Sequence, residues 1–144
     1  MRVSDVLSSK GSAEVHTISP RATVRELLDV LAEHNIGALV VSDDGTTMLG
    51  IVSERDIVRK LRDVERAREA TVESIMTTDV QRCRPEDPFG SLMATMTEHR
   101  VRHVPVIDDD DRLVGVLSIG DAVKHRMEQL EFERDQLSSY VSGG

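Results

Sequence analysis

Two short stretches carry the residues best suited to chemistry: Ser53-Glu54-Arg55-Asp56 and Ser118-Ile119-Gly120-Asp121. Each sets a hydroxyl three residues ahead of a carboxylate. Each also follows a short apolar run opened by glycine, Gly50-Ile51-Val52 and Gly115-Val116-Leu117. A serine followed three residues later by an acid is a helix-capping arrangement, which by itself accounts for either pair. The same geometry has a second use. A helix N-terminus presents free N–H groups to an anion. The serine hydroxyl can donate to a phosphate, and the carboxylate can accept from both hydroxyls of a ribose diol.

The two pairs lie 65 residues apart, and other matches keep the same offset. It relates Pro20 to Pro85, Leu27 to Leu92, Glu33-His34 to Glu98-His99 and Val41 to Val106. It also relates Asp43-Asp44 to Asp108-Asp109 and Val58 to Val123. A common offset over so long a stretch marks an internal duplication. A cap need not recur at one place in two copies that otherwise diverge, so the repetition favours a functional role for both pairs.

A third stretch, Arg100-Val101-Arg102-His103-Val104-Pro105-Val106, brings ionisable groups into a strand that otherwise reads as core. Its counterpart, Asn35-Ile36-Gly37-Ala38-Leu39-Val40-Val41, has no charge. Charged residues at a strand's mouth are often simply exposed. Set against a cleft, Arg102 and His103 would attract phosphate, which the planar fork of arginine matches well. Asp108 to Asp111 lacks the alternating ligands, glycine and distal glutamate of a calcium loop, and reads as a solvated hairpin turn. Cys83 has no histidine at triad-like spacing and reads as buried. The five histidines show no metal-ligand spacing. Nucleophile elbow, phosphate-cradling loop and dinucleotide fingerprint are all missing, so the chain is expected to be non-catalytic.

The elements that must position these residues follow from spacing. Residues 3–7 read as a short helical turn, followed by a polar loop over 8–12. Val15–Ile18 is extended towards Pro20. Thr23, with Glu26 three residues on, caps a helix whose Val24, Leu27, Leu28 and Leu31 form one apolar face. Asn35 and Gly37 end it. Strands are expected at Ala38–Val41 and Met48–Val52 around an Asp43-Asp44-Gly45 turn, and Ser53 opens a helix to about Leu61. The charged stretch 62–70 is a partly helical linker, and Thr71 caps a short helix to Met76. The second unit repeats the plan: extended from Val80 to Pro85, helix Phe89–His99, strands His103–Ile107 and Leu113–Leu117, helix from Ser118. That last helix is expected to continue to about Tyr140. Val123, Met127, Leu130, Leu137 and Val141 keep a four-three spacing along it, interrupted by Arg134, like a coiled-coil seam. The seam is expected to pack on a partner subunit or back across its own domain. Phe132 lies off it.

Composition narrows the function classes. At 144 residues the chain suits one domain or two small intertwined halves. Its few aromatics, Phe89, Phe132 and Tyr140, leave Val, Ile, Leu, Met and Ala to build the core, and offer no platform for stacking bases. A net charge of −8 argues against a general nucleic-acid binder. Cys83 is the sole cysteine, so no intrachain disulfide forms and a reducing compartment is expected. Met1 to Leu7 lacks the apolar run of a signal peptide, and no segment approaches the ~20 apolar residues that span a bilayer. A soluble, cytoplasmic protein is the expectation.

The two β-α-β-β-α units, each ending in Gly-(Ile/Val)-(Val/Leu)-Ser-x-x-Asp, resemble a tandem CBS-domain pair, or Bateman module. Ile36-Gly37-Ala38-Leu39-Val40-Val41, Ser53-Glu54-Arg55-Asp56-Ile57-Val58 and Arg102-His103-Val104-Pro105-Val106 are similar to stand-alone bacterial proteins of this kind. So is Ser118-Ile119-Gly120-Asp121 leading into a long charged helix. The resemblance implies an α/β (α+β) fold. Repeat 1 would span 3–61, the linker 62–70, repeat 2 71–125, and the helical extension and tail 126–144. It implies repeats related by a pseudo-twofold axis, with two clefts for an adenosyl ligand such as AMP, ADP, ATP, NAD or, less favoured, S-adenosylmethionine. Carried over residue by residue, Ser53 and Asp56 would share one cleft with Arg82, Cys83, Arg102, His103 and Pro105. Ser118 and Asp121 would share the other with Thr17, Ile18, Gly37 and Ala38. Gly37 and Ala38 stand where basic residues would, so the Asp56 cleft is expected to bind a phosphorylated ligand better. The function implied is a regulatory or energy-sensing module, a homodimer acting on a separate target protein. The alternative is a constitutive adaptor with vestigial clefts.

Overall fold

A computed structural model describes residues 1–10 and 15–143. The chain runs α1 (Val3–Ser9), β1 (Thr17–Ile18), α2 (Val24–His34), β2 (Ala38–Val41), β3 (Gly50–Ser53) and α3 (Glu54–Lys60). A 3-10 turn at Ala67–Glu69 interrupts the linker, and then come α4 (Val72–Ile75), α5 (Phe89–His99), β4 (His103–Ile107), β5 (Leu113–Ser118) and α6 (Ile119–Gly143). The mixed fold of two repeats and a long terminal helix is the one expected. Of the polar loop expected at 8–12, Ser8 and Ser9 complete α1 instead, and Gly11 and Ser12 lie outside the described residues.

The apolar spacing of α2 buries Val24, Leu27 and Leu31, and the Thr23 hydroxyl accepts from the Glu26 amide at 3.2 Å. Asn35 closes α2 in the left-handed region at φ 51°, and Arg100 closes α5 at φ 53°, at the same repeat offset. Asparagine tolerates that conformation; arginine adopts it less readily. Val72 also opens its helix after a threonine, but the Thr71 side chain makes no capping bond, against expectation. The reason is tertiary. The amides of Val72 and Glu73 donate to the carbonyls of Ala22 and Pro20, at 2.8 and 3.0 Å, so little is left for a side chain to cap.

In repeat 1, β1 pairs parallel with β2, and β2 antiparallel with β3. In repeat 2 only β4 and β5 form a ladder. The extended stretch expected from Val80 to Pro85 narrows to one bridge, with the Cys83 amide donating to Pro105 and its carbonyl accepting from Ile107. Pro85, lacking an N–H, cannot extend it.

Each repeat's leading helix packs on the other repeat. Val3 and Val6 of α1 sit in the core of repeat 2 with Phe89, Leu92, Met96, Val104, Val106 and Leu117. Val72 and Ile75 of α4 sit in the core of repeat 1 with Val24, Leu27, Leu31, Leu39, Val41 and Val52. Gly50, which opens β3, and Gly115, inside β5, make room for this exchange. A Cβ on Gly50 would stand 2.6 Å from the Thr77 carbonyl oxygen, and one on Gly115 2.5 Å from Leu7 Cδ2. Residues alternate across β2 with the strand period of two. Leu39 and Val41 face the core of repeat 1, and Val40 meets Ile107 and Leu113 of repeat 2.

Beyond His125, whose ring meets Phe89 edge-on, α6 leaves the domain. Ala122 is its one buried residue among those described, and Val123, Met127, Leu130, Leu137 and Val141 are all exposed. The seam therefore does not fold back across its own domain.

Candidate functional site

Both serine–aspartate pairs form full capping boxes. Asp56 Oδ2 accepts from the Ser53 amide at 2.9 Å and from its hydroxyl at 3.2 Å, and the Asp56 amide returns to Ser53 Oγ. Asp121 Oδ2 accepts from the Ser118 amide and hydroxyl at 2.9 and 3.0 Å, and the Asp121 amide again returns to the serine. The cap reading is thus literally true of both. It still leaves each carboxylate with capacity for a further partner, and in both repeats that partner is an ammonium.

The ammonium comes from different places. Lys60, one turn along α3, lies 3.3 Å from Asp56 Oδ1 and donates to the Ile75 carbonyl at 2.6 Å. Thr77 Oγ1 also reaches Asp56 Oδ1, at 3.5 Å. On the other side, Lys10 at the end of α1 lies 2.9 Å from Asp121 Oδ2 and donates to the Val116 carbonyl at 2.8 Å. The helix exchange delivers Lys10 there, across 106 residues of sequence from Val116. Nothing in local spacing signals this. It is the charged residue of the site that sequence reasoning missed.

A cavity of about 680 Å³ opens beside Asp121. Repeat 1 contributes His16, Gly37, Ala38 and Val40 to its wall; repeat 2 contributes His103, Val116, Ser118 and Asp121; and Lys10 stands at its edge. Gly37, Ala38, Ser118 and Asp121 are thus together, as expected. Thr17 and Ile18 are not among the lining residues: Thr17 pairs with Val40 in the sheet, and Ile18 is buried in the core of repeat 1, while Val15 and His16 just before them face the cavity. His103, expected beside Asp56, lines the Asp121 cavity, because β4 pairs it directly with Ser118.

The remaining residues of the first group scatter. Arg82 and Arg102 are exposed, Pro105 is buried, and Cys83 lies in the core of repeat 2. Among the described residues, no hydrogen bond or ion pair of Asp56 reaches any of them. Burial, reinforced by Asp87, pushes the Cys83 thiol up to about 12.

Electrostatics distinguishes the groups in the cavity. Burial pushes the Asp121 carboxyl up, but the Ser118 amide, Lys10 and the Ser118 hydroxyl together outweigh it and hold it below the usual carboxylate range. The imidazole of His103 is pushed below its ordinary value, chiefly by burial, with Lys10 and Arg102 adding to the effect and Asp121 and Glu54 opposing it. At neutral pH the cavity therefore pairs an ionised carboxylate with an ammonium beside a neutral imidazole. The acidic turns make no comparable site. Asp44 accepts from the Thr46 and Thr47 amides at 2.8 and 2.7 Å, and Asp108 from those of Asp110 and Arg112 at 2.9 Å each, so both close their own turns.

Comparison with known proteins identifies the fold. The sequence profile of the CBS domain matches residues 3–63 and again 72–128. A mitochondrial CBS domain-containing protein of Arabidopsis thaliana, CBSX3, is 36% identical over 150 aligned positions, covering 99% of this chain and 72% of its own length. The crystal structure of the CBS-domain protein ATU1752 from Agrobacterium tumefaciens superposes with a TM-score of 0.81 at 38% identity, covering 88% of this chain and 99% of that one. The CBS pair of protein MJ0100, solved with 5'-methylthioadenosine and S-adenosyl-L-methionine, superposes with a TM-score of 0.77 at 26% identity, covering 90% and 98%. With two matched repeats spanning most of its length, the chain belongs to the CBS-domain family and is a single small CBS pair.

Proposed function

We propose that this chain is a non-catalytic regulatory module that binds an adenosyl compound in the Asp121 cavity and acts on a separate partner protein. One observation carries the reading. A cavity of about 680 Å³, walled by both repeats, contains an ionised carboxylate, a serine hydroxyl and an ammonium. Its volume falls within the roughly 300–1,000 Å³ of small-molecule sites. Asp121 suits the paired hydroxyls of a ribose, and Ala38, Val40 and Val116 offer an apolar wall to a purine. The family relative MJ0100 was solved with two adenosyl compounds, which supports this ligand class. The proposed primary site is therefore Asp121 rather than the Asp56 cleft favoured on sequence grounds. A ligand held between repeats shifts their arrangement only by as much as its affinity differs between the two states.

Differential scanning fluorimetry of nucleotide-stripped protein with AMP, ATP, NAD and S-adenosylmethionine tests the proposal. A saturable rise in Tm with at least one is expected; no rise with any contradicts it. The exposed stripe of α6 favours a second reading, a constitutive dimeric adaptor, and that reading gains if no ligand shifts Tm while association through α6 persists. The homodimer belongs to both readings. So does the cytoplasmic location, with which the buried, unpaired Cys83 is consistent. No helix among the described residues is long and apolar enough to cross a membrane.

A further inference from the structure

We propose that Lys10 sets the charge of the ligand that the Asp121 cavity accepts, selecting a phosphorylated adenosyl compound over a neutral or sulfonium-bearing one. The inference rests on the ligand-site reading above and refines it.

The geometry of the ammonium comes first. Lys10 Nζ lies 2.9 Å from Asp121 Oδ2, on the carboxylate proposed to hold the ribose, and its second bond is to the Val116 carbonyl at 2.8 Å. Its side chain is 35% exposed, so it can swing without unpacking a core. The helix that presents it is firmly seated. The amides of Val3 and Ser4 donate to the Asp87 and Pro85 carbonyls at 2.9 Å each, Val3 and Val6 are buried in repeat 2, and Leu7 lies over Gly115. The Lys10 backbone is therefore anchored at the cavity rim, while its ammonium is free to turn.

Charge balance supplies the selectivity. Among the described lining residues, Lys10 is the only lysine or arginine and Asp121 the only acid, so the pair is balanced before a ligand arrives. His103 adds no fixed charge at neutral pH, because burial holds its imidazole below the ordinary value. A ribose diol that takes up the Asp121 oxygens competes with Lys10 for its acceptor. A 5'-phosphate on the same ligand offers the ammonium a second anionic acceptor, and the lysine turns from one to the other. A neutral 5'-substituent offers the displaced ammonium no anionic acceptor, and a sulfonium at that position sets it against a like charge. The phosphate contact is a charge-assisted hydrogen bond, which roughly corresponds to a 10- to 100-fold affinity difference.

Isothermal titration of the full chain with AMP, 5'-methylthioadenosine and S-adenosylmethionine, on wild type, Lys10→Met and Lys10→Arg, tests the inference. Wild type is expected to prefer AMP. In Lys10→Met, AMP should weaken by about 10- to 100-fold, while 5'-methylthioadenosine binds as well as before or better, because the competitor for Asp121 is gone. Lys10→Arg should restore most of the AMP affinity. A merely structural lysine would weaken all three ligands together. An AMP to 5'-methylthioadenosine ratio unchanged in Lys10→Met overturns the charge assignment while leaving the ligand site standing. Wild-type protein that takes up none of the three overturns both.

Discussion

Lys10 stands 2.9 Å from Asp121 although one lies at the start of the first repeat and the other near the end of the second. The contact exists because α1 is packed on the repeat that it precedes by most of the chain. The same exchange places α4 on repeat 1. It makes the two repeats one folding unit, and it places the cavity between them.

Gly50 and Gly115, at equivalent positions in β3 and β5, should differ sharply when mutated. Gly50→Ala drives a Cβ to 2.6 Å from a backbone oxygen, that of Thr77, which is locked in the Ile51–Thr77 bridge. Gly115→Ala meets only the far end of the Leu7 side chain, which can rotate. Urea denaturation should show Gly50→Ala destabilised by about 1–3 kcal/mol and Gly115→Ala by less. Equal losses would mean that α1 is held as rigidly as the Thr77 backbone.

Acid should weaken the fold in two steps with opposite partners in the cavity. His103 is held below about 6.5. The unfolded chain therefore takes up its proton first, and the stability linked to a neutral His103 is complete above that pH and lost as pH falls through its lower folded value. Asp121 is likewise depressed, so its contribution is complete above about 3.9 and lost as pH falls through its own lower value. Thermal melts of wild type, His103→Gln and Asp121→Asn from pH 7.5 to 3 check the signs. The His103 variant should lose less Tm than wild type between pH 7 and 5, and the Asp121 variant less below pH 4.

Cys83 should be inert while the protein is folded. Its thiol is buried and pushed up to about 12, and the thiolate is the reactive form. Ellman's reagent at pH 8 should label it only in urea. Rapid labelling of native protein would mean that the bridge between Cys83 and Val106 opens easily.

The exposed α6 stripe gives the proposed homodimer a specific geometry. In an antiparallel pair centred on residue 132, Val123 meets Val141 and Met127 meets Leu137, which satisfies the self-complementarity of a twofold interface. All four are exposed in the single chain. Sedimentation equilibrium should return twice the chain mass for wild type and the monomer mass for Met127→Glu/Leu137→Glu, with the far-UV spectrum of the folded domain retained. A dimer unaffected by both substitutions would place the interface elsewhere.

The sequence revealed what is written locally. The four-residue apolar spacing of α2, the runs that became β2 and β4, and the Ser-x-x-Asp caps all depend on neighbours within one turn or one strand, and so left a readable pattern. What failed depended on distant contacts. Thr71 lost its capping role because carbonyls from Ala22 and Pro20 arrived first. His103 was grouped with Asp56 by resemblance, whereas its register against Ser118 puts it in the Asp121 cavity. Lys10 stood in a polar stretch with no periodicity, and only the helix exchange gives it a role. Arg82 and Arg102 drew notice as cations, yet both point to exposed surface positions rather than to Asp56 contacts in the described network.

Asp121, rather than Asp56, is proposed to anchor the ligand. Isothermal titration of AMP into wild type, Asp121→Ala and Asp56→Ala measures this directly, with circular dichroism confirming that each variant is folded. The account predicts saturable binding to wild type, its loss in Asp121→Ala, and near wild-type affinity in Asp56→Ala. Binding that survives in Asp121→Ala and disappears in Asp56→Ala would contradict it and return the site to the first repeat's carboxylate.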